Sequence, residues 1–373
     1  MKFVVSSSAL LKQLTSISGV ITTNPVVPIL ENFLFEVSPN ALVITASDLH
    51  TSIIIETTIE SKGSVNICVP AKILIETLKN LPEQPVTFTI DENTYSIELS
   101  SDNGRYKLAG ENATDFPRTQ AVKNGFAVNI STEILGQAIS NTLFATSNDE
   151  MRPAMTGVYF SLGENYSTFA STDGHRLVRY RRVDITSETG MSIIIPRKSL
   201  TLLKTTLPTD NTNVEVEFNT SNAFFSFNNT KIICRLIDER FPDYENAIPV
   251  ENPNVLSIDR SELISSLKRI QIYANKTTHQ VRFKISGSEL QISAEDLDFS
   301  NEANERLQCE YVGEDMEMGF NAKFFLEILS NMSARTISLH LSTPNRPGII
   351  TPFENAKNED VLMLIMPVLL NTI

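Results

Sequence analysis

Three landmarks recur along this chain at a nearly constant interval, and this repetition limits the fold more than any other feature. The segment 69–74 (VPAKIL) is echoed at 195–200 (IPRKSL) and at 320–325 (FNAKFF), which places equivalent lysines 126 and 125 residues apart. The two other landmarks are an Asp and a Pro, each found once per repeat: Asp48, Asp173, Asp296, and Pro117, Pro242, Pro367. Because all three share one order and one period, we predict a tandem triplication with modules at 1–124, 125–252 and 253–373.

Each module is predicted to hold two helices and about eight strands, an α+β unit with helices on one face of antiparallel sheet. The first helices are expected at 7–21, 131–146 and 259–275, with Ser8, Ser131 and Asp259 as N-caps. The second helices follow the lysine landmark, at 70–82, 196–208 and 321–335, where Pro70 and Pro196 suit a first helical turn.

Composition excludes several classes of protein. The chain has 373 residues, 41% hydrophobic and 20% charged, which is typical of a globular protein and not of a disordered one. The N-terminal segment lacks the apolar core of a signal peptide, and the longest apolar run, 361–370, is far below the roughly 20 residues of a membrane helix. Three Cys and four His are scattered without metal-ligand or disulfide spacing. We therefore expect a cytoplasmic protein with no metal and no cofactor.

The charge is distributed unevenly. The net charge is −13, which on its own argues against a nucleic-acid partner. The six helix windows, with the first helix of module three counted over 260–276, nevertheless sum to +8, so the remainder of the chain carries −21. One explanation is that Lys and Arg favour helices over strands, although Glu favours helices equally and is not enriched here. The other is that the helices line a single positive surface.

Helix geometry shows what such a surface could enclose. Helices pack about 8–10 Å apart, so six in a closed circle would leave almost no hole. Twelve would leave a hole roughly 25 Å across, wide enough for a DNA duplex. A ring of this kind requires two chains joined head to tail, and it would need only weak, sequence-independent phosphate contacts.

Repetition also separates shared features from unique ones. The recurring Asp is expected to stabilise a strand turn in every module. The segment 174–177 (GHRL) occurs only in module two, and the module ends differ, the last leaving an apolar tail at 364–370. Features that occur in one copy are the candidates for function.

Four of these segments resemble the bacterial sliding clamp family, the beta subunits of DNA polymerase III: 171–177 (STDGHRL), 240–244 (RFPDY), 195–198 (IPRK) and 366–370 (MPVLL). The resemblance extends over the whole chain. It implies a head-to-tail homodimeric ring of six similar domains that encircles duplex DNA independently of sequence. It also implies that the ring has no catalytic activity and tethers the replicative polymerase, which confers processivity.

The resemblance further implies a pocket between modules two and three, where the polymerase, the clamp loader and repair proteins dock short linear motifs. Its residues, matched motif by motif, are Met155, Thr172, Gly174, His175, Arg176, Leu177, Pro242, Ala247, Leu364, Met366, Pro367 and Val368. Leu177, Met155 and Met366 can receive aliphatic or aromatic anchors, and His175 and Arg176 are expected to offer donors at the rim.

The family commonly ends Met-Pro-Met-Arg-Leu. In this chain Val368-Leu369 replaces Met-Arg, and three further residues, 371–373, extend the tail. Partner preference is therefore left open, as is the alternative that the tail is only the last buried strand.

Two further sets concern DNA and the dimer. The DNA-facing candidates are Lys12, Lys72, Arg152, Arg197, Lys198 and Lys204, for each of which a solvated helix charge is the alternative. The dimer interface, joining module one to module three of a second chain, is expected to use Arg105, Tyr106, Leu108, Ile272 and Tyr273 beside acidic Glu302 and Glu305. An ordinary exposed surface Tyr is the alternative for Tyr106.

Two other functions stay open. An enzyme could use Asp173, His175 and Ser171 or Thr172 as a nucleophile and base, but adjacent strand residues point to opposite faces and rarely converge. An acidic scaffold that binds proteins without encircling DNA is the second.

Overall fold

The structure, a computed structural model, describes residues 1–119, 126–188 and 190–370. These residues form six α-helices and 27 β-strands in four sheets, and every strand pair is antiparallel. The predicted α+β class is confirmed. The predicted boundary at 124/125 lies outside the described residues, and so does the C-terminal extension at 371–373.

All six predicted helices are present. They are α1 (Ser7–Ile17), α2 (Ala71–Lys79), α3 (Thr132–Leu143), α4 (Arg197–Thr206), α5 (Arg260–Ile270) and α6 (Ala322–Ser330). With these bounds the helices carry +6 and the rest of the chain −19, so the segregation of charge persists. No helix among the described residues is long and apolar enough to cross a membrane.

Two of the three predicted N-caps are confirmed. The Asp259 carboxylate accepts hydrogen bonds from the N–H groups of Ser261 and Glu262, and Ser131 Oγ accepts one from the Ile134 N–H at 3.3 Å. The prediction of Ser8 is wrong, because α1 begins earlier. Ser6 has an extended backbone and its side chain accepts the Ala9 N–H, so Ser6 is the cap.

Module one has ten strands: β1 (Lys2–Ser6), β2 (Asn32–Ser38), β3 (Ala41–Ser47), β4 (Thr51–Thr58), β5 (Glu60–Ser61), β6 (Val65–Pro70), β7 (Pro85–Ile90), β8 (Ser96–Ser100), β9 (Arg105–Ala109) and β10 (Glu111–Asn112). Module two has eight among its described residues: β11 (Phe126–Ser131), β12 (Gly157–Leu162), β13 (Ser167–Thr172), β14 (Arg176–Arg182), β15 (Met191–Pro196), β16 (Asn213–Phe218), β17 (Asn222–Phe227) and β18 (Thr230–Arg235). Module three has nine: β19 (Asn254–Asp259), β20 (Gln280–Ser286), β21 (Glu289–Asp296), β22 (Asn301–Gln308), β23 (Glu310–Val312), β24 (Met316–Asn321), β25 (Thr336–Leu341), β26 (Gly348–Pro352) and β27 (Glu359–Ile365).

The chain divides into two compact units that cut across the modules. The first comprises Met1–Gly136 with Lys198–Leu236, and the second comprises Gln137–Arg197 with Ile237–Ile373. The division differs from the repeat because each unit contains a nine-stranded sheet built from two modules. In the first unit β4 of module one pairs with β18 of module two, and in the second β14 of module two pairs with β27 of module three.

Each unit also contains one smaller sheet from a single module. In the first unit it has five strands, in the order β5-β1-β7-β8-β9. In the second unit it has four, in the order β22-β21-β20-β24. Helix α1 contacts β1 of the five-stranded sheet and β4 of the nine-stranded sheet, and its apolar stripe, Leu10, Leu14 and Ile17, is fully buried.

The recurring Asp stabilises a turn in every module, as predicted. One oxygen of Asp48 accepts the N–H groups of His50 and Thr51, and one oxygen of Asp173 accepts those of His175 and Arg176. Asp296 accepts the N–H of Asp298 in the same way. We call these three turns the Asp hairpins; they connect β3 to β4, β13 to β14, and β21 to β22.

Candidate functional site

The candidate site lies in the second unit, on one face of the junction between β14, β27 and β26. Four apolar side chains on this face form a cluster: Leu177, Ile349, Leu362 and Leu364. Strand register brings them together, because Leu177 pairs with Leu364, and Leu364 pairs on its other side with Ile349. We call this cluster the floor.

Alternation along β14 gives consecutive residues different roles. Leu177, Arg179 and Arg181 share the face of the floor. Arg176 and Tyr180 occupy the alternate positions and face the opposite side, where Tyr180 is fully buried and its hydroxyl donates to Glu359 at 2.8 Å. Burial is the main reason why the pKa of Tyr180 is raised above its usual value.

The sequence predicts Arg176 as a hydrogen-bond donor at the rim of the site. This prediction is wrong, because its side chain is buried and engaged elsewhere. Its Nε donates to Asp173 at 3.0 Å, its Nη1 to Glu327 of α6 at 2.5 Å, and its Nη2 to the carbonyl of Phe144 at 2.9 Å. The guanidinium also lies 4.7 Å from the ring centroid of Phe324. The buried Arg176 thus joins the Asp hairpin of module two to α6 of module three from beneath.

A loop covers part of the floor and forms one wall of the site. We call residues 242–248 the wall loop; it includes the predicted Pro242 and Ala247 and a 3-10 turn at Glu245–Ala247. Tyr244 and Ile248 pack on the floor, and Tyr244 also meets the Phe241 ring edge-on at 6.0 Å. Burial raises the pKa of Tyr244 to about 12.

The Asp hairpin of module two forms the next edge. Gly174 has φ +89°, and a Cβ there would lie 3.0 Å from the Arg152 side chain. His175 is exposed and stacks on Phe324 at 5.7 Å. Thr172 is buried, and its hydroxyl donates to the Arg176 carbonyl at 2.7 Å, so it shapes the hairpin and is not free to bind a partner.

The C-terminal tail is fixed against the same unit at two points. The Met366 N–H donates to the His175 carbonyl and the Val368 N–H to the Gly319 carbonyl, both at 2.8 Å. A Cβ on Gly319 would lie 2.3 Å from the Val368 carbonyl oxygen, so this close approach requires glycine. The last regular strand ends at Ile365, so the tail beyond it is held as irregular chain and is not a buried strand.

Apolar surface that a ligand could reach lies around the floor. Leu177 and Leu364 are only 3% exposed, so they support the site from below. Met366 is 40% exposed, Ala247 is exposed, and Met155 and Pro242 are half-buried. Pro242 and Ala247 belong to the wall loop and Met366 follows the end of β27, so these three lie in segments next to the floor; apolar side chains of this kind suit a short segment with apolar anchors.

Comparison with known families matches all three modules. Residues 1–120 match the DNA polymerase III beta subunit, N-terminal domain, residues 129–243 its central domain, and residues 245–368 its C-terminal domain. The matches occur once each, in order, and together span nearly the whole chain. The chain belongs to the DNA polymerase III beta subunit family.

Relatives agree in length as well as in sequence. The beta sliding clamp of Vibrio cholerae is 28% identical over 369 residues, covering 99% of this chain and 100% of the relative. That of Chlamydia pneumoniae is 29% identical over 376 residues, covering both chains completely. Among solved structures, the DNA polymerase III beta subunit of Pseudomonas aeruginosa superimposes with a TM-score of 0.94 at 26% identity, covering 99% of this chain and 100% of the other. The protein is a sliding clamp that serves the processivity of DNA polymerase III.

In this clamp the six DNA-facing candidates are all exposed but differ in their contacts. Lys198 pairs with Asp48, Arg197 donates to Asn148 at 2.6 Å, and Arg152 pairs with Asp149 at 2.9 Å. The other three candidates, Lys12, Lys72 and Lys204, form no ion pair among the described residues. They are the candidates most available to phosphate.

The dimer candidates of the clamp lie on or near the outer strands of the two smaller sheets. Arg105, Tyr106 and Leu108 belong to β9, where Leu108 is buried in its own core and the other two are exposed. Ile272 and Tyr273 form an exposed 3-10 turn after α5, near β22.

Sequence reasoning missed several site residues that the structure brings together: Phe241, Tyr244, Ile248, Ile349 and Leu362. Signals for some were present. The segment 240–244 carries the family resemblance, and its two aromatic residues, Phe241 and Tyr244, are the signal that marks this loop. Ile349 and Leu362 could not be assigned, because alternation predicts a buried face without naming the strand that will pair with it.

Proposed function

We propose that two copies of this clamp close head to tail into a ring around duplex DNA. The observation that carries the proposal is the number of strands in the sheets. Each junction between modules within the chain is a nine-stranded sheet, whereas the sheets of the outer modules have five and four strands. A five-stranded sheet and a four-stranded sheet from two copies would together make nine.

The outer strands of the five-stranded and four-stranded sheets are equivalent to the strands that pair at the two internal junctions. At the two internal junctions, the strand that follows an Asp hairpin, β4 or β14, pairs with the last strand of the next module, β18 or β27. The equivalent strands are β22, which follows the third Asp hairpin, and β9, which begins 125 residues before β18 (230 − 105) and so matches it by the repeat; both pair on one side only among the described residues. Pairing β22 with β9 of a second copy would repeat the same junction a third time.

A second contact repeats in the same way. The hairpin at Asp48 reaches α4, where Lys198 pairs with Asp48 and Thr51 hydrogen-bonds Ser199 at 2.8 Å. The hairpin of Asp173 reaches α6 through Arg176. The third hairpin exposes Leu297 and Phe299, by 77% and 66%, and the equivalent position on α2 exposes Ile73 by 49%. Docking this hairpin on α2 of a second copy would cover these apolar side chains.

The charges of the two open edges are complementary. β9 carries Arg105 and Lys107, and β22 carries Glu302 beside a Glu305 that Arg269 already binds at 2.6 Å. Opposite charge around exposed Tyr106, Ile272 and Tyr273 favours a specific and lasting interface.

DNA would pass through the ring without sequence-specific contacts. The net charge of +6 on the helices supports phosphate contacts from the helix surface, and so do Lys12, Lys72 and Lys204, which form no ion pair within the part of the chain that the structure describes. The strongly acidic remainder would repel DNA elsewhere.

Partners would dock on the apolar surface around the floor by short linear motifs, among them the replicative polymerase, the clamp loader and repair proteins. We propose no catalytic role for this clamp. The Ser171 hydroxyl is buried and donates to the Thr142 carbonyl at 2.5 Å, and that of Thr172 is engaged in its own hairpin, so neither is paired with His175 as a nucleophile. The cytoplasm is the compartment that fits three reduced, buried cysteines.

Oligomer mass tests the ring directly. The chain is 41.5 kDa, so sedimentation at micromolar concentration should give about 83 kDa, twice that mass. A mass of one chain across this range would contradict the ring and favour the alternative, an acidic scaffold that does not encircle DNA.

A further inference from the structure

Two arginines on the floor side of β14 hold a single carboxylate of the wall loop. Glu245 Oε1 lies 2.5 Å from Arg181 Nη2, and Glu245 Oε2 lies 3.4 Å from Arg179 Nη1. The arginine side chains are largely buried, whereas that of Glu245 is 45% exposed. We call this three-residue contact the Glu245 bridge.

Few other groups could replace Glu245 as the partner of the two arginines. Arg179 and Arg181 lie side by side on one face of β14, where their like charges repel. Asp360 on β27 pairs with Arg179 at 2.9 Å, and Arg181 lies over the Tyr166 ring at 5.0 Å. Among the described residues, the buried Nε atoms of both arginines have no hydrogen-bond partner. Among the described residues Glu245 is the only carboxylate that pairs with Arg181, so the two arginines favour the position of the wall loop in which Glu245 is bound.

The wall loop has little else to hold its backbone. The N–H groups of Tyr244, Ala247 and Ile248 donate to Pro242, Tyr244 and Glu245, all inside the loop. Among the described residues no backbone hydrogen bond from these three groups reaches the sheet. The loop is therefore tied to the floor by the packing of Tyr244 and Ile248 and by the Glu245 bridge.

We propose that Glu245 is a positioning residue for partner binding: the Glu245 bridge fixes Pro242 and Ala247 as a preformed wall, so that a peptide finds its site already ordered. This rests on the proposed docking of partners at the floor. Glu245 itself need not touch the peptide. If breaking the bridge left the wall in place for only a tenth of the time, the apparent affinity would fall about tenfold without loss of any peptide contact.

Salt distinguishes this role from simple packing. The bridge is partly exposed, so added salt should screen it and loosen the wall loop. An uncharged peptide has no screened charges of its own. Its affinity for the native clamp should therefore fall as salt rises, whereas its affinity for a clamp without the bridge should stay nearly constant.

The test compares Glu245→Gln with Glu239→Gln in the full-length clamp. Both changes remove one negative charge from neighbouring positions, but Glu239 is exposed and forms no ion pair among the described residues. The probe is an acetylated and amidated pentapeptide that carries Leu and Phe anchors and no charge. Its affinity is measured by calorimetry between 50 mM and 500 mM salt, and amide hydrogen exchange of 242–248 is measured without peptide.

We expect Glu245→Gln to bind the peptide about tenfold more weakly than Glu239→Gln at low salt, with a flat salt dependence and faster exchange in the wall loop. Unchanged exchange in Glu245→Gln would overturn the Glu245 bridge as a positioning device, whether or not the peptide binds. Tighter binding by Glu245→Gln would also overturn it, since the loop would then be an obstacle. If the native clamp bound no peptide while exchange in Glu245→Gln rose, docking at the floor would fail and the role of the bridge in ordering the loop would stand.

Discussion

The role of a single residue in this clamp depends on which face of its strand the side chain occupies. Arg176 and Leu177 are neighbours in a segment that resembles the family, yet one joins α6 from beneath and the other supports the floor. Alternation alone predicts that they diverge. It does not predict which face is covered, because that depends on a loop and a partner strand far away in sequence. The resemblance assigned Arg176 a donor role at the rim, whereas its side chain bonds Asp173, Glu327 and Phe144 instead.

Two glycines allow a matched test of close approach. Alanine at Gly319 would force its Cβ against the Val368 carbonyl, whereas a Cβ on Gly136 in α3 meets nothing within 4 Å. We expect Gly319→Ala to lower the free energy of unfolding by about 1–3 kcal/mol, because the tail must move. Gly136→Ala should raise it by about 0.5–1 kcal/mol, because alanine favours the helix. Urea denaturation measures both, and equal effects would contradict the tight contact at Gly319.

Acid stability should depend on Asp184. Two hydrogen bonds from Arg182, at 2.8 and 2.6 Å, hold the pKa of the Asp184 carboxyl below its ordinary value of 3.8. A lowered pKa stabilises the folded state fully above the ordinary value, and this contribution is lost as pH falls through the lower, folded value. Asp184→Asn should therefore lower the free energy of unfolding by about 1 kcal/mol at neutral pH, and the difference should shrink below pH 4.

The control for Asp184 is Asp238→Asn, which removes a similar charge at an exposed position. Its difference from the native clamp should be small at every pH. Urea titrations at several pH values measure both variants. A constant difference between Asp184→Asn and the native clamp from pH 7 to pH 3 would refute the role of this carboxyl.

At the scale of elements, the sequence was most informative about helices and least informative about strand partners. All six helices begin within one residue of their predicted windows, because caps and apolar stripes are local signals. The pairing of β4 with β18 and of β14 with β27 could not be predicted, since alternation marks a strand without naming its neighbour. Those pairings nevertheless decide where the modules join.

A charge introduced on either side of the proposed contact between the Asp hairpin of module three and α2 of a second copy should weaken the dimer. Leu297→Glu in the Asp hairpin of module three, or Ile73→Glu on α2, should raise the dimer dissociation constant at least tenfold, because each would bury an unpaired carboxylate. Val250→Glu is the control, since Val250 is 96% exposed and lies outside both elements. Sedimentation over a dilution series measures the change. Three equal dissociation constants would contradict the hairpin contact.

Helix lysines should differ in their contribution to DNA binding. Lys204→Gln should weaken equilibrium binding to a short duplex and reduce the slope of log affinity against log salt by about 0.9, because one phosphate contact is lost. Lys198→Gln should have a smaller effect, since Lys198 already pairs with Asp48. Lys357→Gln, at an exposed position outside the helices, should have none. An identical slope for all three variants would show that the helices do not face the DNA.

For the whole molecule, a net charge of −13 is compatible with a DNA partner because the charge is segregated and not averaged. The repeat explains the rest of the design. Two junctions are completed inside the chain, and the edges β9 and β22, each paired on one side only among the described residues, would supply the third between copies that we propose. Topological enclosure would then replace tight binding, so modest phosphate contacts are sufficient and movement along the duplex stays possible.

Retention on circular DNA tests enclosure most directly. The clamp is loaded on a nicked circular plasmid with its cognate loader, separated from free protein by gel filtration, and assayed again after a restriction enzyme has linearised the plasmid. We expect the clamp to stay on the intact circle and to leave the linear molecule through its ends. Equal retention on circular and linear DNA, or equally rapid loss from both, would contradict a ring that encircles the duplex.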